Sequence, residues 1–409
     1  MRHFILFITL CAACAANAQT TITVSVKNPS SAARTDQPVV LPLEGYGHVA
    51  SALVTTGGGE VPCQMDDLDQ DDEWDELCFL ADLEPREVKE YTLTLSPEGE
   101  PRRYDARVYA EMVMGNKNVK EKNRQNNYIE AITARGDCAY PYNLQHHHGV
   151  DFESELNGIR IYFDKRQTLD LYGKFKKRLE LQQTQFYTSD EQKRQGYGDD
   201  VLWVGNTFGL GAFRGWDGGQ PTMIDPVSSR TQRIISYGPL RTIVEVIDKG
   251  WLCPTGRDSQ TATLNLKLRY TQYAGHRDTD IDVLFNRDAS LFRFSTGVIN
   301  VKGSVEYSDR KGLRACWGTD YPATDTLKWK RETVGLAVLM PREYIVSEEP
   351  ADKDNYTFVV APKGKTMSYK VAYCSDNEEF GMHSADEWFG WLKAWRKEAD
   401  NPVVVKVSK

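Results

Sequence analysis

The sequence predicts an all-β protein closed by one C-terminal helix, and three observations support this prediction. Short runs rich in Val, Ile, Thr, Tyr and Phe recur along the chain, separated by Gly, Pro, Asn or Asp residues that favour turns. Only one segment has a clear helical pattern. No repeat of fixed period is visible, which argues against a propeller or a solenoid.

The predicted strands are short segments rich in β-branched and aromatic residues, as is typical of strands that contribute to a core. They lie at residues 20–26, 38–43, 91–95, 158–164, 168–172, 241–248, 261–273, 281–285, 334–340, 356–361 and 367–373. Two longer stretches, 102–127 and 215–233, have the composition of loops. We expect the first of these to cover a cleft.

The predicted helix spans residues 384–399. Ser384 is a favourable N-cap, and Glu387, three residues later, completes the pattern of a capping box. An apolar stripe at helical spacing predicts a face that packs on a sheet, with a platform for stacking sugars as the alternative. The stripe consists of Trp388, Trp391, Leu392 and Trp395.

The first eighteen residues (1–18) have the features of a cleavable signal peptide. A positive start precedes an apolar run at 4–13, and Ala16 and Ala18 place small residues where a signal peptidase reads them. The apolar run is too short for a bilayer, which needs about 20 residues in a helix. We therefore expect cleavage before Gln19 and export to the periplasm. A membrane anchor and a lipoprotein linked through Cys14 are the alternatives.

Charge and cysteine spacing exclude some classes of partner. The net charge is −8, and no basic stripe typical of a nucleic-acid-binding protein is present. No segment after the signal peptide is apolar enough to cross a membrane. The six cysteines after the signal peptide form no CxxC pair, which argues against a zinc ribbon. Cys63 and Cys78 flank an acidic loop and are the first candidates for a disulfide, with buried free thiols as an equal alternative.

The stretch 138–174 has the densest group of residues suited to catalysis. Three histidines, 146–148, precede two predicted strands. Because side chains alternate along a strand, the polar residues of each strand share a face. These faces carry Arg160, Tyr162 and Asp164 on one strand, and Asp170, Tyr172 and Lys174 on the next.

Such faces are suited to an acidic sugar. Arg and Lys can neutralise a uronate carboxylate, while Tyr offers a ring for stacking and a hydroxyl for proton transfer. A solvated sheet face with cross-strand ion pairs is the alternative. The candidate catalytic residues are His147, His148, Glu153, Glu155, Tyr162, Asp170, Tyr172 and Lys174. The candidate substrate-binding residues are Arg160, Trp203, Trp216, Tyr237, Arg241 and His276.

Two groups of residues could bind a metal ion. The first is His147, His148, Glu153 and Glu155, whose spacing matches no zinc signature. The second is Asp67, Asp69 and Asp71, which alternate as in calcium loops. This loop is not an EF-hand, because positions six and twelve hold Asp72 and Cys78 instead of Gly and Glu. A calcium loop of another kind and an acidic hairpin tip both remain open.

Three segments, 61–83, 146–174 and 199–213, resemble a family of exported Bacteroidota proteins known as domain of unknown function 4861. The resemblance extends over nearly the whole mature chain. The family often has a glycine where Asp72 stands here, so its calcium-loop pattern is not complete. The resemblance implies a large antiparallel β-sandwich of the galactose-mutarotase-like, or supersandwich, type. It also implies a role in the degradation of pectin-like, uronate-rich polysaccharides.

Together these observations give the expected organisation and function. We expect a signal peptide (1–18), an N-terminal β-region with the acidic loop (19–100) and a main β-sandwich with the C-terminal helix (101–409). We expect an exported enzyme that acts on uronate-containing oligosaccharides, most concretely a polysaccharide lyase working by β-elimination. A glycoside hydrolase on the same substrates, a non-catalytic glycan-binding protein and a mutarotase or epimerase are the alternatives.

Overall fold

The computed structural model describes residues 19–136, 138, 141–256 and 260–408. The expected signal peptide therefore lies outside the described residues. Within the described ranges, no helix is both long enough and apolar enough to span a bilayer.

An N-terminal unit is formed by the first seven strands together with the last strand of the chain. In chain order the seven are β1 (Thr20–Lys27), β2 (Arg34–Pro42), β3 (Ser51–Thr56), β4 (Gly59–Val61), β5 (Cys63–Asp66), β6 (Glu76–Leu83) and β7 (Val88–Ser96). Alternate residues of these strands, such as Ile22, Val24 and Val26 of β1, point into a shared apolar core.

The remaining strands begin at residue 108. The first group is β8 (Val108–Glu111), β9 (Val113–Met114), β10 (Asn127–Tyr128), β11 (Ala131–Arg135), β12 (Gly149–Ser154), β13 (Gly158–Tyr162), β14 (Leu169–Gly173), β15 (Asp199–Asp200), β16 (Arg214–Trp216), β17 (Pro221–Thr222) and β18 (Ser229–Tyr237). The second group is β19 (Arg241–Pro254), β20 (Thr261–Tyr273), β21 (Asp278–Phe285), β22 (Phe294–Ile299), β23 (Val305–Ser308), β24 (Leu313–Asp320), β25 (Glu332–Leu339), β26 (Ile345–Glu348), β27 (Asn355–Val360), β28 (Thr366–Ser375) and β29 (Val404–Ser408).

Helices are few, as the sequence predicts. They are α1 (Leu181–Thr184), α2 (Asp190–Arg194) and α3 (Ala385–Ala399), with 3-10 turns at Pro141–Asn143 and Arg342–Tyr344.

The main unit is a large antiparallel β-sandwich, which confirms the predicted fold class. A nine-stranded sheet has the order β11-β18-β19-β20-β21-β28-β25-β24-β23. Two five-stranded sheets, β15-β14-β13-β12-β8 and β17-β16-β22-β27-β26, share one apolar core with it. Inward-facing residues such as Phe152, Leu268 and Phe358 come from all three sheets. Alternation of apolar and polar residues along each strand thus places one face of each sheet in the core.

The N-terminal unit also has two sheets, and it includes the C-terminal end of the chain. Its sheets have the orders β29-β1-β7-β3-β4 and β2-β6-β5. Strand β29 pairs with β1 from Thr23 to Lys27, so the two ends of the described chain lie side by side. The expected region 101–409 therefore contributes one strand to the N-terminal unit.

The cysteine pair Cys63 and Cys78 does not form a disulfide in this structure. Both thiols are free and buried. Cys78 lies directly opposite Gln64 in the antiparallel pair of β5 and β6, while Cys63 lies opposite Phe79. The two side chains therefore point to opposite faces of the sheet, and the free-thiol alternative is the one observed.

Helix α3 packs on the outer face of the nine-stranded sheet. Trp388, Leu392 and Trp395 are buried against residues of β24, β25 and β28, which confirms that the apolar stripe is a packing face. Ser384 accepts a hydrogen bond from the Glu387 amide, as an N-cap does. The Glu387 carboxylate accepts from the amide of His383 and not of Ser384, so the capping box is incomplete.

The contact between α3 and Gly335 of β25 gives a stability prediction. A Cβ at Gly335 would lie 2.8 Å from the Trp388 indole, so Gly335→Ala should overpack this contact and destabilise the protein by roughly 1–3 kcal/mol. The matched control is Gly390→Ala on α3, where nothing lies within 4 Å; it should stabilise by about 0.5–1 kcal/mol. Chemical denaturation measures both changes. Equal effects of the two substitutions would contradict the described packing.

Candidate functional site

The five-stranded sheet β15-β14-β13-β12-β8 has one apolar face and one polar face. The apolar face, with Phe152 and Ile161, belongs to the sandwich core. On the opposite face the antiparallel register places charged residues side by side across four strands. Each residue lies opposite the next in the order Glu111, Asp151, Arg160, Asp170. We call this face the polar face; it is covered by residues 115–125, 141–148 and 175–198.

Arg160, at the centre of the polar face, is paired with carboxylates through its Nη2. It is bonded to Asp170 and lies 3.5 Å from the nearest oxygen of Asp200. Its Nη2 also donates to the Tyr162 hydroxyl at 3.1 Å, and that hydroxyl donates to Asp170 at 2.6 Å. Burial raises the pKa of Tyr162, which keeps its hydroxyl protonated. The predicted role of Arg160 in neutralising a substrate carboxylate is therefore not supported, because its charge is already compensated.

Asp200 differs from Asp170 in being partly accessible. Its side chain is 24% exposed, whereas that of Asp170 is 1% exposed. Burial of the carboxyl group and the neighbouring charge of Asp170 raise the pKa of Asp200 well above its ordinary value. Asp200 is therefore suited to hold a proton near the site.

Glu153, Lys174 and Tyr172 form a buried anchor for the covering segment 175–198. The Lys174 ammonium donates to Glu153 at 2.5 Å, and Glu153 accepts the backbone amides of Glu180 and Leu181 at 2.8 Å each. The Tyr172 hydroxyl donates to the carbonyl of Gly198 at 2.7 Å. All three side chains are buried and have protein partners. Their placement assigns them a structural role in place of the predicted catalytic one.

His148 is held with one ring nitrogen directed at a carbonyl. Its ring stacks on Tyr142 at a centroid distance of 3.9 Å, and its Nδ1 lies 3.1 Å from the Tyr142 carbonyl oxygen. A carbonyl can only accept, so Nδ1 carries the proton and Nε2 presents a lone pair. No partner for this Nε2 is found in the part of the chain that the structure describes. Burial lowers the pKa of His148 to about 4.

His146 lies beside His148 and faces a second tyrosine. Its ring meets the Tyr187 ring edge-on at 5.2 Å, and the Lys122 ammonium lies 5.1 Å from the centre of the Tyr187 ring. Burial lowers the pKa of His146 to about 4. Two imidazoles and two phenol rings are thus brought together at the edge of the polar face.

The two imidazoles and the Tyr187 ring line the first of three adjoining cavities, and Tyr142 lines the second. The first cavity has a volume of about 540 Å³ and is lined by His146, His148 and Tyr187, with residues 115–125 on the other side. Residues 102–127, predicted to cover a cleft, thus supply part of its wall. Three exposed lysines line it, and none forms an ion pair within the described ranges. They are Lys117, Lys120 and Lys122.

The second and third cavities extend the first along the protein surface. The second, of about 490 Å³, shares Asn143 with the first. The third, of about 860 Å³, shares Arg166 and Asn206 with the second. Trp203 lines the third cavity and is 53% exposed, so its ring is accessible; its role in stacking on a sugar stays a prediction.

Deepest in the polar face lies a buried group of three possible metal ligands, which we call the Glu-His-Asp triad. His147 Nε2 lies 3.6 Å from an oxygen of Glu111 and 3.6 Å from an oxygen of Asp151. Burial raises the pKa of Glu111 to about 8 and that of Asp151 well above its ordinary value. Burial, followed by the charge of Arg160, lowers the pKa of His147 to about 3.

Four of the predicted site residues lie away from the polar face. Trp216 is only 8% exposed, so its ring is not available to a sugar. Arg241 and His276 contact the N-terminal unit, through Asp66 and the Asp36 carbonyl respectively. Tyr237 is exposed at the end of β18 but lines none of the three cavities.

Glu155 is also displaced from its predicted place. It follows the end of β12 and is bonded to Arg107 at 2.5 Å and to the Gly275 amide at 2.8 Å. Arg107 in turn pairs with Asp36 of the N-terminal unit. Glu155 therefore joins the two units, and neither it nor Glu153 is free to bind a metal with His147.

The acidic loop brings Asp67, Asp69 and Asp71 together, with ligand atoms within 4.8 Å of one another. The carboxylate of Asp67 already accepts the amides of Gln70, Asp71 and Asp72. Asp72 has a φ of 70°, a conformation that glycine adopts most readily. The loop is thus held by its own hydrogen bonds, which fits an acidic hairpin tip.

The sequence reasoning missed several residues at this site. Asp151 follows the same alternation that joins Glu153 to the polar face, so it could have been found by extending the strand. Glu111 lies on β8, within the segment 102–127 that the sequence predicts to be a loop. Tyr142, Tyr187 and Asp200 come from segments far apart in sequence, and no local pattern identifies them.

The buried pair of Lys174 and Glu153 gives a prediction that separates structure from catalysis. Lys174→Met leaves the Glu153 carboxylate without its cation and should destabilise the protein by about 3–5 kcal/mol. Lys176→Met, at an exposed position of the same segment, should change stability by no more than about 0.5 kcal/mol. Chemical denaturation distinguishes the two variants. A Lys174→Met protein as stable as the wild type would contradict the anchoring role.

Two solved structures are similar to this chain, and the one with a TM-score of 0.50 supports the fold. A protein in glycosyl hydrolase family 38 from Enterococcus faecalis has a TM-score of 0.50 and 10% sequence identity, covering 95% of this chain and 47% of that chain. An α-mannosidase from Enterococcus faecalis V583 has a TM-score of 0.49 and 10% identity, covering 95% and 46%. The chain thus spans about half the length of both proteins.

No curated protein matches the sequence. The family model described as Domain of unknown function (DUF4861) matches residues 26–405. This match includes both the N-terminal unit and the sandwich with its polar face. The chain therefore belongs to the DUF4861 family.

Proposed function

We propose that the protein is an exported, carbohydrate-active enzyme that cleaves uronate-containing oligosaccharides by β-elimination. One observation carries this proposal: the first cavity combines the His148 Nε2 lone pair, the Tyr187 hydroxyl group and three lysines that form no ion pair with a described residue. These are the three functions that a polysaccharide lyase needs, namely a base, an acid and a neutraliser of the substrate carboxylate.

The lysines make the elimination chemically accessible. The proton at C5 of a uronate is adjacent to a carboxylate, whose negative charge opposes its removal. A cation beside that carboxylate stabilises the negative charge that develops when the proton leaves. Lys117, Lys120 and Lys122 supply such cations, because none is neutralised by an ion pair with another described residue.

In the proposed reaction, the two proton transfers use the His148 imidazole and the Tyr187 hydroxyl group, which line the first cavity. His148 Nε2 takes the C5 proton, the electrons of that C–H bond form the C4–C5 double bond, and the C4–O bond breaks. The leaving oxygen takes a proton from the Tyr187 hydroxyl, which is protonated at neutral pH. The hydrogen bond from His148 Nδ1 to the Tyr142 carbonyl keeps Nε2 in the accepting form.

The three adjoining cavities support an oligosaccharide substrate. Because neighbouring cavities share lining residues, a chain of sugars can extend from the first cavity towards Trp203. An exposed indole is well suited to stacking on a sugar ring. The structural similarity to a protein in glycosyl hydrolase family 38 is compatible with a glycan substrate, and the expected signal peptide is compatible with a periplasmic location.

A glycoside hydrolase is the second candidate, and one observation favours it. Asp170 and Asp200 both contact the Arg160 guanidinium, and Asp200 combines partial exposure with a raised pKa. Such a carboxyl group can act as a general acid. Asp170 is less suited to be its partner, because it is buried and bonded to both Arg160 and Tyr162.

The assay for the proposed reaction measures two products. The purified protein is incubated with polygalacturonate and other uronate glycans, and ultraviolet absorbance of the unsaturated uronate is followed alongside reducing ends. His148→Gln should lower the rate of elimination by about 100-fold or more, because the base is lost. His383→Gln, at an exposed histidine, is the matched control and should keep full activity.

The outcomes discriminate between the candidates. New reducing ends without ultraviolet absorbance would indicate that the enzyme is a hydrolase and not a lyase. Binding of the glycan without either product would indicate a binding protein, and a change of anomer or epimer alone would indicate a mutarotase or epimerase. Full activity of His148→Gln would contradict the assignment of the base.

The role of the lysines is tested separately. The triple change of Lys117, Lys120 and Lys122 to Ala should lower kcat/KM for a uronate oligosaccharide about 10-fold or more, because the developing negative charge loses its cations. A triple change of exposed lysines outside the three cavities, at Lys176, Lys365 and Lys406, is the control. An unchanged kcat/KM in the first variant would remove the cations from the proposed mechanism.

A further inference from the structure

The Glu-His-Asp triad lies outside the mechanism proposed above. Its ligand atoms, one each from Glu111, His147 and Asp151, all lie within 4.8 Å of one another. Glu111 is on β8, Asp151 is directly opposite it on β12, and His147 precedes β12. A pair of adjacent strands and the loop leading into one of them therefore hold the three side chains.

The triad is buried, and its facing atoms have no hydrogen-bond partners. The side chains of His147 and Asp151 are 0% exposed, and that of Glu111 is 1% exposed. Among the described residues, no hydrogen bond reaches His147 Nε2, Glu111 Oε1 or either carboxylate oxygen of Asp151. Leaving so many buried polar atoms unpaired is costly, at roughly 1–3 kcal/mol for each group.

The cost is removed if a cation occupies the space between these atoms. Two carboxylates and an imidazole attract a cation and can share it, whereas a neutral ligand could satisfy only some of them. The nearby cation Arg160 forms no ion pair or hydrogen bond with the triad among the described residues; it is paired with Asp170 and Asp200. The triad thus has both the charge and the unpaired ligand atoms that a metal site requires.

We propose that Glu111, His147 and Asp151 form a metal site for a divalent transition-metal cation, with zinc as the best-fitting ion. An imidazole nitrogen favours zinc over calcium or magnesium, which prefer oxygen ligands. Tetrahedral zinc with bonds of about 2.0–2.1 Å places its ligand atoms about 3.3–3.4 Å apart. The two observed separations of 3.6 Å from His147 need only a small contraction to reach this value.

Three protein ligands leave one position of a tetrahedral zinc for water or another donor. The site would also fix His147, and thereby the backbone that presents His146 and His148 to the first cavity. This inference does not depend on the proposed elimination reaction, because metal binding can be measured without any substrate.

The test measures metal content directly. The purified mature protein is stripped with a chelator, incubated with zinc sulfate, dialysed and analysed by mass spectrometry of the elements. The wild type should retain about one zinc per chain, and His147→Gln and Asp151→Asn should retain less than about a tenth of that amount. His383→Gln is the matched control and should retain the wild-type amount. A second control, Asp67→Asn with Asp69→Asn and Asp71→Asn, should also retain it.

A cobalt measurement keeps the test valid if the two ligand variants do not fold. Cobalt(II) added to the stripped wild-type protein should give the visible absorption of a tetrahedral site, and excess zinc should abolish it. A wild-type protein that retains no zinc and shows no cobalt spectrum would overturn the proposal. So would a folded His147→Gln protein that retains zinc, or loss of zinc in the triple variant of the acidic loop alone.

Discussion

The structure depends on the cost of burying charge. The sheet β15-β14-β13-β12-β8 is covered on both faces, yet only one of these faces is apolar. Every charged side chain on the other face must therefore find a partner or remain neutral. Most of them do find partners: Arg160 binds Asp170, and Lys174 binds Glu153. The pair of Lys174 and Glu153 also holds the segment 175–198 over the polar face. The same interactions therefore compensate the buried charges and assemble the site.

The residues to which we assign a function are those whose charge or polar atoms are not fully compensated by neighbouring residues. His148 Nε2 presents a lone pair, because the proton is on Nδ1, which donates to a carbonyl. The triad of Glu111, His147 and Asp151 keeps unpaired atoms although it is fully buried. Asp200 stays partly accessible at the end of the row. Because a buried polar atom without a partner is costly, a cluster of such atoms is informative about chemistry.

Much of the fold follows from local sequence patterns. Alternation and β-branched composition predict most long strands, and the spacing of Trp388, Leu392 and Trp395 predicts the packing face of α3. The same alternation places Tyr162 and Asp170 on one face of neighbouring strands, where the structure has them bonded. A period of two residues is a strong signal, because a shift by one residue would move an entire strand face from the core to the other side.

The site itself is predicted less well, because partners are chosen by long-range contacts. Nothing near Arg241 or His276 in sequence shows that they contact the N-terminal unit. Nor does the sequence show that the Glu153 carboxylate accepts the backbone amides of Glu180 and Leu181 in the segment 175–198. The strand pairing also brings Glu111 to Asp151 across a separation of forty positions in the chain. Residue type and alternation identify the polar face, whereas tertiary structure decides which of its members remain free.

The central claim is that the substrate binds beside His148 on the covered polar face. A crystal structure of the His148→Ala variant with a uronate oligosaccharide would test it most directly. We predict a sugar ring in the first cavity, with its carboxylate within reach of Lys117, Lys120 or Lys122 and its C5 facing the space left by the imidazole. An oligosaccharide bound only at a site outside the three adjoining cavities would contradict the account.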